Sequence, residues 1–322
     1  MFARTVALGI LCLAGTGIPQ AWPQPYPARP IRMIVPVTPG GSTDSTARIV
    51  GQKMSDLLGK PIIVDNRPGG NSIIGTEIAA KAAPDGYTLL CAFATHITTP
   101  LLYAKLPYNT AADFQAITML ATQPLIVIAN TQTPVKSIKE IVAMAKAAPG
   151  KLNFGLPGSG SAAHVATEMF KIISGADIKS VPYKGAAPAQ VALLGNEVQF
   201  MFANIQTGVT LAKTGRITVI GVGTEKRLSQ YPDVPTLAEQ GIPKFEVEPW
   251  QGILAPKRTP RAVIDTLHKA AVSSVQSPGV IERLAATGST PVTSTPEAFE
   301  ARINSQLKSW GEVIRKAGMR AE

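Results

Sequence analysis

From Ile31 onward the chain alternates short apolar, β-rich runs with stretches whose apolar positions recur every three or four residues. That rhythm belongs to strands laid side by side with helices packed over their faces. The strand-like runs are 31–37 (IRMIVPV), 61–66, 87–94 (YTLLCAFA), 125–130 (LIVIAN), 152–155, 178–183, 198–205 (VQFMFANI), 217–223 and 245–256. Most are apolar at successive positions, as strands covered on both faces require. Between Thr43 and Leu58 the residues Ala47, Val50, Met54 and Leu57 form one helical face; Phe299, Ile303, Leu307, Trp310, Ile314 and Ala317 form another near the C-terminus. Helix stops are written at Gly59-Lys60-Pro61, Pro149-Gly150 and Gly195. No low-complexity linker separates two halves, so the expected α/β fold has two lobes between which the chain crosses more than once. The cleft between them is then the natural ligand site.

Size and charge narrow this picture. A chain of 322 residues exceeds what one core of roughly 250–300 residues holds, and 45% hydrophobic with 16% charged residues excludes a disordered protein. The formal charge is +10, but the basic residues stand singly, which describes a mildly basic surface and predicts no nucleic-acid partner. Residues 1–21 carry one charge, Arg4, ahead of the apolar stretch Val6–Gly15, too short for the roughly 20 residues of a membrane span. This reads as a secretory signal peptide ending near Ala21. Cys12 leaves with it, and Cys91, inside an apolar run, is expected in the core without a disulfide.

Candidate chemistry concentrates in three loops that leave strands and open helices: Thr38–Asp44 (TPGGSTD), Ala94–Thr99 (ATHITT) and Leu156–His164 (LPGSGSAAH). A helix N-terminus presents unpaired N–H groups and about half a positive charge, and small residues let an anion approach them. Asp44 fits the first turn of its helix as an organiser of the loop. Other motifs fail. Gly158–Ala163 fits a dinucleotide fingerprint, but the following strand ends in Val181-Pro182-Tyr183-Lys184 without the acid that would hold a ribose. Gly70–Gly75 has P-loop spacing without its lysine. His96, His164 and His268 are isolated, so no metal site is expected. No GxSxG elbow occurs, and no acid and base can be paired by spacing.

The motifs YPARPIRMIVPVTPGGSTD (26–44), GKPIIVDNRPGGNSIIG (59–75), AAPDGYTLL (82–90), LPYNTAADF (106–114), LNFGLPGSGSAAH (152–164), VPYKGAAPA (181–189), YPDVPTLAEQG (231–241) and WQGILAPKRTP (250–260) stand in order along the chain. Together they resemble the periplasmic solute-binding proteins of tripartite tricarboxylate transporters, the Bug receptors. The resemblance implies a type II, Venus-flytrap periplasmic binding fold, each lobe a mainly parallel sheet flanked by helices, with lobe 1 at 26–124 plus 248–322 and lobe 2 at 125–247. It also implies a monomeric receptor that holds a small carboxylate and hands it to membrane permease subunits, with no cofactor. Carried over residue by residue, the carboxylate cradle falls on Pro39, Gly40, Gly41, Ser42 and Thr43, then on Ser159, Gly160, Ser161 and Ala162. Asp44, Thr95, His96, His164, Lys184, Ala203 and Asn204 complete the expected site. Ala203 stands where family members often carry Asp, which argues against ligands bearing an ammonium group. Two rivals use the same cleft: a periplasmic hydrolase or decarboxylase with Asp44 and His96 or His164 as acid and base, and a sensor subunit that differs only in its partner.

Overall fold

The computed structural model describes residues 26–245 and 247–320; the signal-peptide reading at 1–21 lies outside the described residues. Two sheets organise the chain. The first begins with β1 (Ile31–Val35), α1 (Ser42–Leu58), β2 (Ile62–Asn66), α2 (Ile73–Ala80), β3 (Thr88–Phe93), α3 (Thr95–Leu102) and β4 (Phe114–Thr122). The chain then passes into the second sheet: β5 (Leu125–Asn130), α4 (Ile138–Ala147), β6 (Asn153–Leu156), α5 (Ala162–Ser174), β7 (Lys179–Pro182), α6 (Ala186–Leu194), β8 (Phe200–Asn204), α7 (Ile205–Ala212) and β9 (Ile217–Val222). It returns through β10 (Trp250–Pro256), α8 (Arg261–Val275), α9 (Pro278–Ala286), β11 (Thr290–Pro291) and α10 (Pro296–Lys316).

The strand orders are β11-β4-β10-β3-β1-β2 and β7-β6-β8-β5-β9. In each sheet most strands point one way, but the long crossing strand is reversed: β10 pairs antiparallel with β3 and β4, and β5 pairs antiparallel with β8 and β9. Neighbouring pairs are therefore mixed where the sequence predicts a mainly parallel arrangement. The cause is connectivity. β4 ends at Thr122 and β5 starts at Leu125, so the chain enters the second sheet directly from the end of the first, without a helix to turn it around. A strand that enters from the cleft must run against strands whose C-terminal ends face the cleft. β10 does the same on the way back.

The helical faces read from the sequence pack as expected, with one exception. Ala47, Val50 and Met54 are wholly buried in α1, whereas Leu57 is 48% exposed; near the helix end the buried face passes to Leu58 and Ile62, both packed on the same core. In α10, Phe299, Ile303, Trp310 and Ile314 are buried. Cys91 is free and buried, and burial pushes its thiol up to about 12. β4 carries no strand assignment in the sequence reading, yet it lies between β10 and β11. Among the described residues no helix is long and apolar enough to cross a membrane.

Close packing fixes the returning strand. Gly252 in β10 lies against the buried Phe299 ring and the Thr118 carbonyl, so an added Cβ would strike the ring and lie 3.0 Å from that oxygen. Trp250 donates its indole N–H to Gln306 at 2.6 Å and meets Phe299 edge-on at 4.8 Å. Gly252→Ala is expected to destabilise the fold by about 1–3 kcal/mol through this overpacking, measured as a lower midpoint in urea unfolding.

Candidate functional site

Between the sheets lies a cavity of about 520 Å³, placed as expected for an α/β fold, outside the C-terminal ends of strands. Its walls are assembled from helix beginnings. Gly41, Ser42 and Thr43 open α1; Ala94 and Thr95 open α3; Ser161, Ala162 and Ala163 open α5; Ala186 opens α6; Asn204 and Thr207 open α7. Five helix N-termini thus face one hollow.

Their capping differs in a way that matters. Gly41, Ala94 and Gly185, the caps of α1, α3 and α6, supply no side-chain hydrogen bond. The first helical bond of α1 runs from Ser45 N–H to Gly41 O, so the N–H groups of Ser42, Thr43 and Asp44 have no acceptor further back in the helix. In α5 the Ser161 hydroxyl accepts from His164 N–H, and in α7 the Asn204 side chain accepts from Thr207 N–H. These caps leave only the first two N–H groups of each helix open. Among the described residues that line the cavity, none carries a charge. Any anion held there is held by backbone dipoles, hydroxyls and amides.

The expected site residues divide into two rows. Gly41, Ser42, Thr43, Thr95, Ser159, Gly160, Ser161, Ala162, Ala203 and Asn204 line the cavity. Pro39, Gly40, Asp44, His96, His164 and Lys184 do not. Pro39, Gly40 and Lys184 are exposed, and the other three stand behind the wall.

Asp44 is buried and ties the first loop together. Its carboxylate accepts from Gly40 N–H (3.0 Å), Arg48 Nε (3.0 Å) and Asn66 Nδ2 (2.9 Å). Burial alone would raise its pKa, but these three donors outweigh it and hold the group below the usual carboxylate range. His164 accepts from Gly160 N–H at 3.1 Å through Nδ1, which occupies that N–H and shapes the Gly/Ser loop, where Gly160 has a φ of 74°. His96 is enclosed: its ring meets Phe114 edge-on at 5.3 Å, and neither ring nitrogen has a hydrogen-bond partner. Burial pushes its pKa down to about 3. No pair among Asp44, His96 and His164 is hydrogen-bonded in the manner of an acid and its base, and among the described residues no group of three or more His, Cys, Asp or Glu could hold a metal.

Several cavity residues escape the sequence reading. Asn71, Gln123, Gln190, Met201, Thr207 and Gln251 all line the hollow. Asn71 is held by Thr99, which donates to its carbonyl at 3.0 Å. Gln251 had a visible signal, a polar residue inside the apolar run WQGILAP, since an uncharged polar side chain within a buried strand needs a partner. Asn71 had none beyond its place in a glycine-rich turn. Phe93, Phe202 and Trp250 supply aromatic wall, and Phe202 is backed by stacking on Phe245 at 5.5 Å.

Comparison with known proteins fits this geometry. A family model described as "Tripartite tricarboxylate transporter family receptor" matches residues 46–319. Protein BugT of Bordetella pertussis is 38% identical over 91% of this chain and 90% of its own. Among solved structures, an R. palustris protein with adipate is 30% identical, covers 92% of this chain and 99% of its own, and superposes with a TM-score of 0.79. MatC from Rhodopseudomonas palustris with bound malate is 29% identical, covers 90% and 100%, and gives a TM-score of 0.75.

A buried neutral imidazole has a measurable signature. The unfolded chain takes up a proton near pH 6.5, while folded His96 stays neutral down to about 3, so stability is lost as pH falls through that window. His96→Leu is expected to flatten the decline between pH 6.5 and 4 by up to about 1.4 kcal/mol per pH unit. Urea unfolding at a series of pH values reads this directly.

Proposed function

The chain belongs to the tripartite tricarboxylate transporter receptor family, and from that premise we propose that it captures a small carboxylate in the inter-sheet cavity and presents it to a membrane permease. The observation that carries the reading is the uncharged hollow ringed by five helix beginnings. The adipate and malate bound by the R. palustris relatives support the same ligand class. The contact set is Gly41, Ser42, Thr43 and Thr95 on one side and Ser159, Ser161, Ala162, Ala203 and Asn204 on the other. Gly40, Asp44 and His164 hold these loops in shape, His96 packs against Phe114, Pro39 is exposed beside the first loop, and Lys184 adds exposed positive charge just before α6.

Energetics are adequate without a buried cation. A hydrogen bond to a charged group contributes roughly 1.5–3 kcal/mol, and a helix terminus about 0.3–1. A micromolar dissociation constant needs about 8 kcal/mol, within reach of three or four such donors and a buried ligand body once ordering costs are met.

Residues 26–124 with 248–322 form one lobe and 125–247 the other, and they close on the ligand because the closed form binds it better. The protein is exported by its N-terminal signal peptide, works in the periplasm as a monomer, and catalyses nothing. A hydrolase reading needs a base in the hollow, and among the described residues that line it there is no histidine or carboxylate.

Gly41→Leu tests the cradle. Gly41 has φ −77° and a Cβ there meets nothing within 4 Å, so the fold is retained while the side chain projects into the hollow; carboxylate affinity should drop at least a hundredfold by calorimetry. Ala203→Asp, which sets a carboxylate in the wall, should weaken every acid ligand by tenfold or more. A wild-type protein whose melting point is unmoved by succinate, malate, adipate or benzoate, or which turns over their esters, would overturn the receptor reading.

A further inference from the structure

Gly160, in the loop between β6 and α5, lies against Leu102, the last residue of α3, which belongs to the other sheet's side of the hollow. A Cβ added at Gly160 would strike Leu102 Cδ1 and come within 3.8 Å of Asn71 Nδ2. Gly160 also has a φ of 74°, a conformation in which a side chain is strained, so its bare backbone serves both the turn and the close approach. Gly160 and Asn71 line the cavity, and Leu102 does not. The contact stands at the edge of the hollow, beside the ligand wall rather than in it.

The surface that Gly160 meets is braced. Asn71 and Ser72 hold left-handed φ values of 51° and 73°, uncommon for residues other than glycine and kept only where the surroundings enforce them. Side chains of α3 do so here: Thr99 donates to the Asn71 carbonyl at 3.0 Å, and Thr95 donates to Ser72 Oγ at 3.1 Å. Helix α10 presses on α3 in turn, so closely that a Cβ on Gly311 would lie 3.2 Å from Leu101 Cδ2. Leu101, Leu102 and Ala162, the first residue of α5, pack on one apolar cluster, yet Leu102 stays half-buried.

We infer that Leu102 is a positioning residue for capture: its side chain seats on Gly160 as the two sheets close, and this contact across the hollow sets how long a bound carboxylate stays, without touching it. The inference rests on the carboxylate-receptor reading and names a residue that keeps its closed form shut. An apolar side chain against bare backbone gains from excluding water and from close contact, and it asks nothing of the ligand's chemistry. A contact made only once the sheets have come together stabilises the closed form and slows its reopening, whereas the encounter with the ligand precedes it. Affinity then changes through dissociation.

The experiment measures kon and koff by stopped-flow tryptophan fluorescence with succinate, malate, adipate and benzoate, and follows whichever acid binds the wild-type protein. In Leu102→Ala, koff is expected to rise at least tenfold while kon does not fall; Leu102→Met, which restores a long apolar side chain, should return koff to within about threefold of wild type. A double-mutant cycle with Gly160→Ala isolates the contact. The strain of a side chain at a left-handed φ is common to both backgrounds, but the collision with Leu102 is not, so the loss of affinity caused by Gly160→Ala should shrink at least fivefold in the Leu102→Ala background. Where Leu102→Ala does not fold, Leu102→Val carries the comparison, with koff raised at least threefold. An unchanged koff, a loss carried by kon, or an equal effect of Gly160→Ala in both backgrounds would each overturn the inference while leaving the receptor reading in place. Failure of every acid to bind the wild-type protein would remove both.

Discussion

The constraint on which the structure depends is the unfinished hydrogen bonding of helices that begin where strands end. In every βα unit the strand delivers the chain to one edge of its sheet, and the next helix starts there with its first N–H groups unpaired. When two such edges are set face to face, those groups share one hollow. Away from the hollow, Ser137 caps α4 and Thr295 caps α10, each accepting from an N–H three residues on, while α2, α8 and α9 have no side-chain cap. At the hollow, Gly41, Ala94 and Gly185 supply no such side chain. The folding logic and the recognition logic are the same backbone geometry, and what sets the helices at the hollow apart is that their open N–H groups face one shared space.

Behind that wall, burial fixes the loops that carry it. Asp44 gathers Gly40, Arg48 and Asn66, so the first glycine loop is tied to both α1 and the end of β2. His164 reaches back to Gly160 across one helical turn. Phe202 is clasped between Phe154 and Phe245, with ring centroids 5.5 Å away on each side. The polar residues at the surface of the hollow are positioned by groups that themselves stay out of it. An observer who looked only for charged side chains at the centre would find none to name.

Much of this was legible in the residues. Glycine and serine at Gly40-Gly41-Ser42 and Ser159-Gly160-Ser161 follow strands and precede amphipathic helices, so local rules place them at helix openings, and all but Gly40 border the cavity. What remained hidden depends on contacts distant in sequence. β4 reads FQAITMLAT, whose run of alanine, methionine and leucine suits helix as well as strand, and only pairing with β10 decides it. The exclusion of His96 from the hollow follows from its packing on Phe114, 18 positions away, which no spacing rule anticipates. Likewise the meeting of Gln123 and Gln251 at Ser42 exists only because two crossings converge on one helix end.

An uncharged wall has one more property. Among the described residues that line the hollow there is no lysine, arginine, histidine or acid, so the wall itself has no proton to gain or release as its surroundings turn acidic or alkaline. Sensitivity of capture to acidity then comes from the guest, through the fraction of it that is ionised, and from Asp44, whose carboxylate holds the first loop from behind the wall. A trap built from backbone dipoles leaves the titration to its cargo and to the groups that brace its wall.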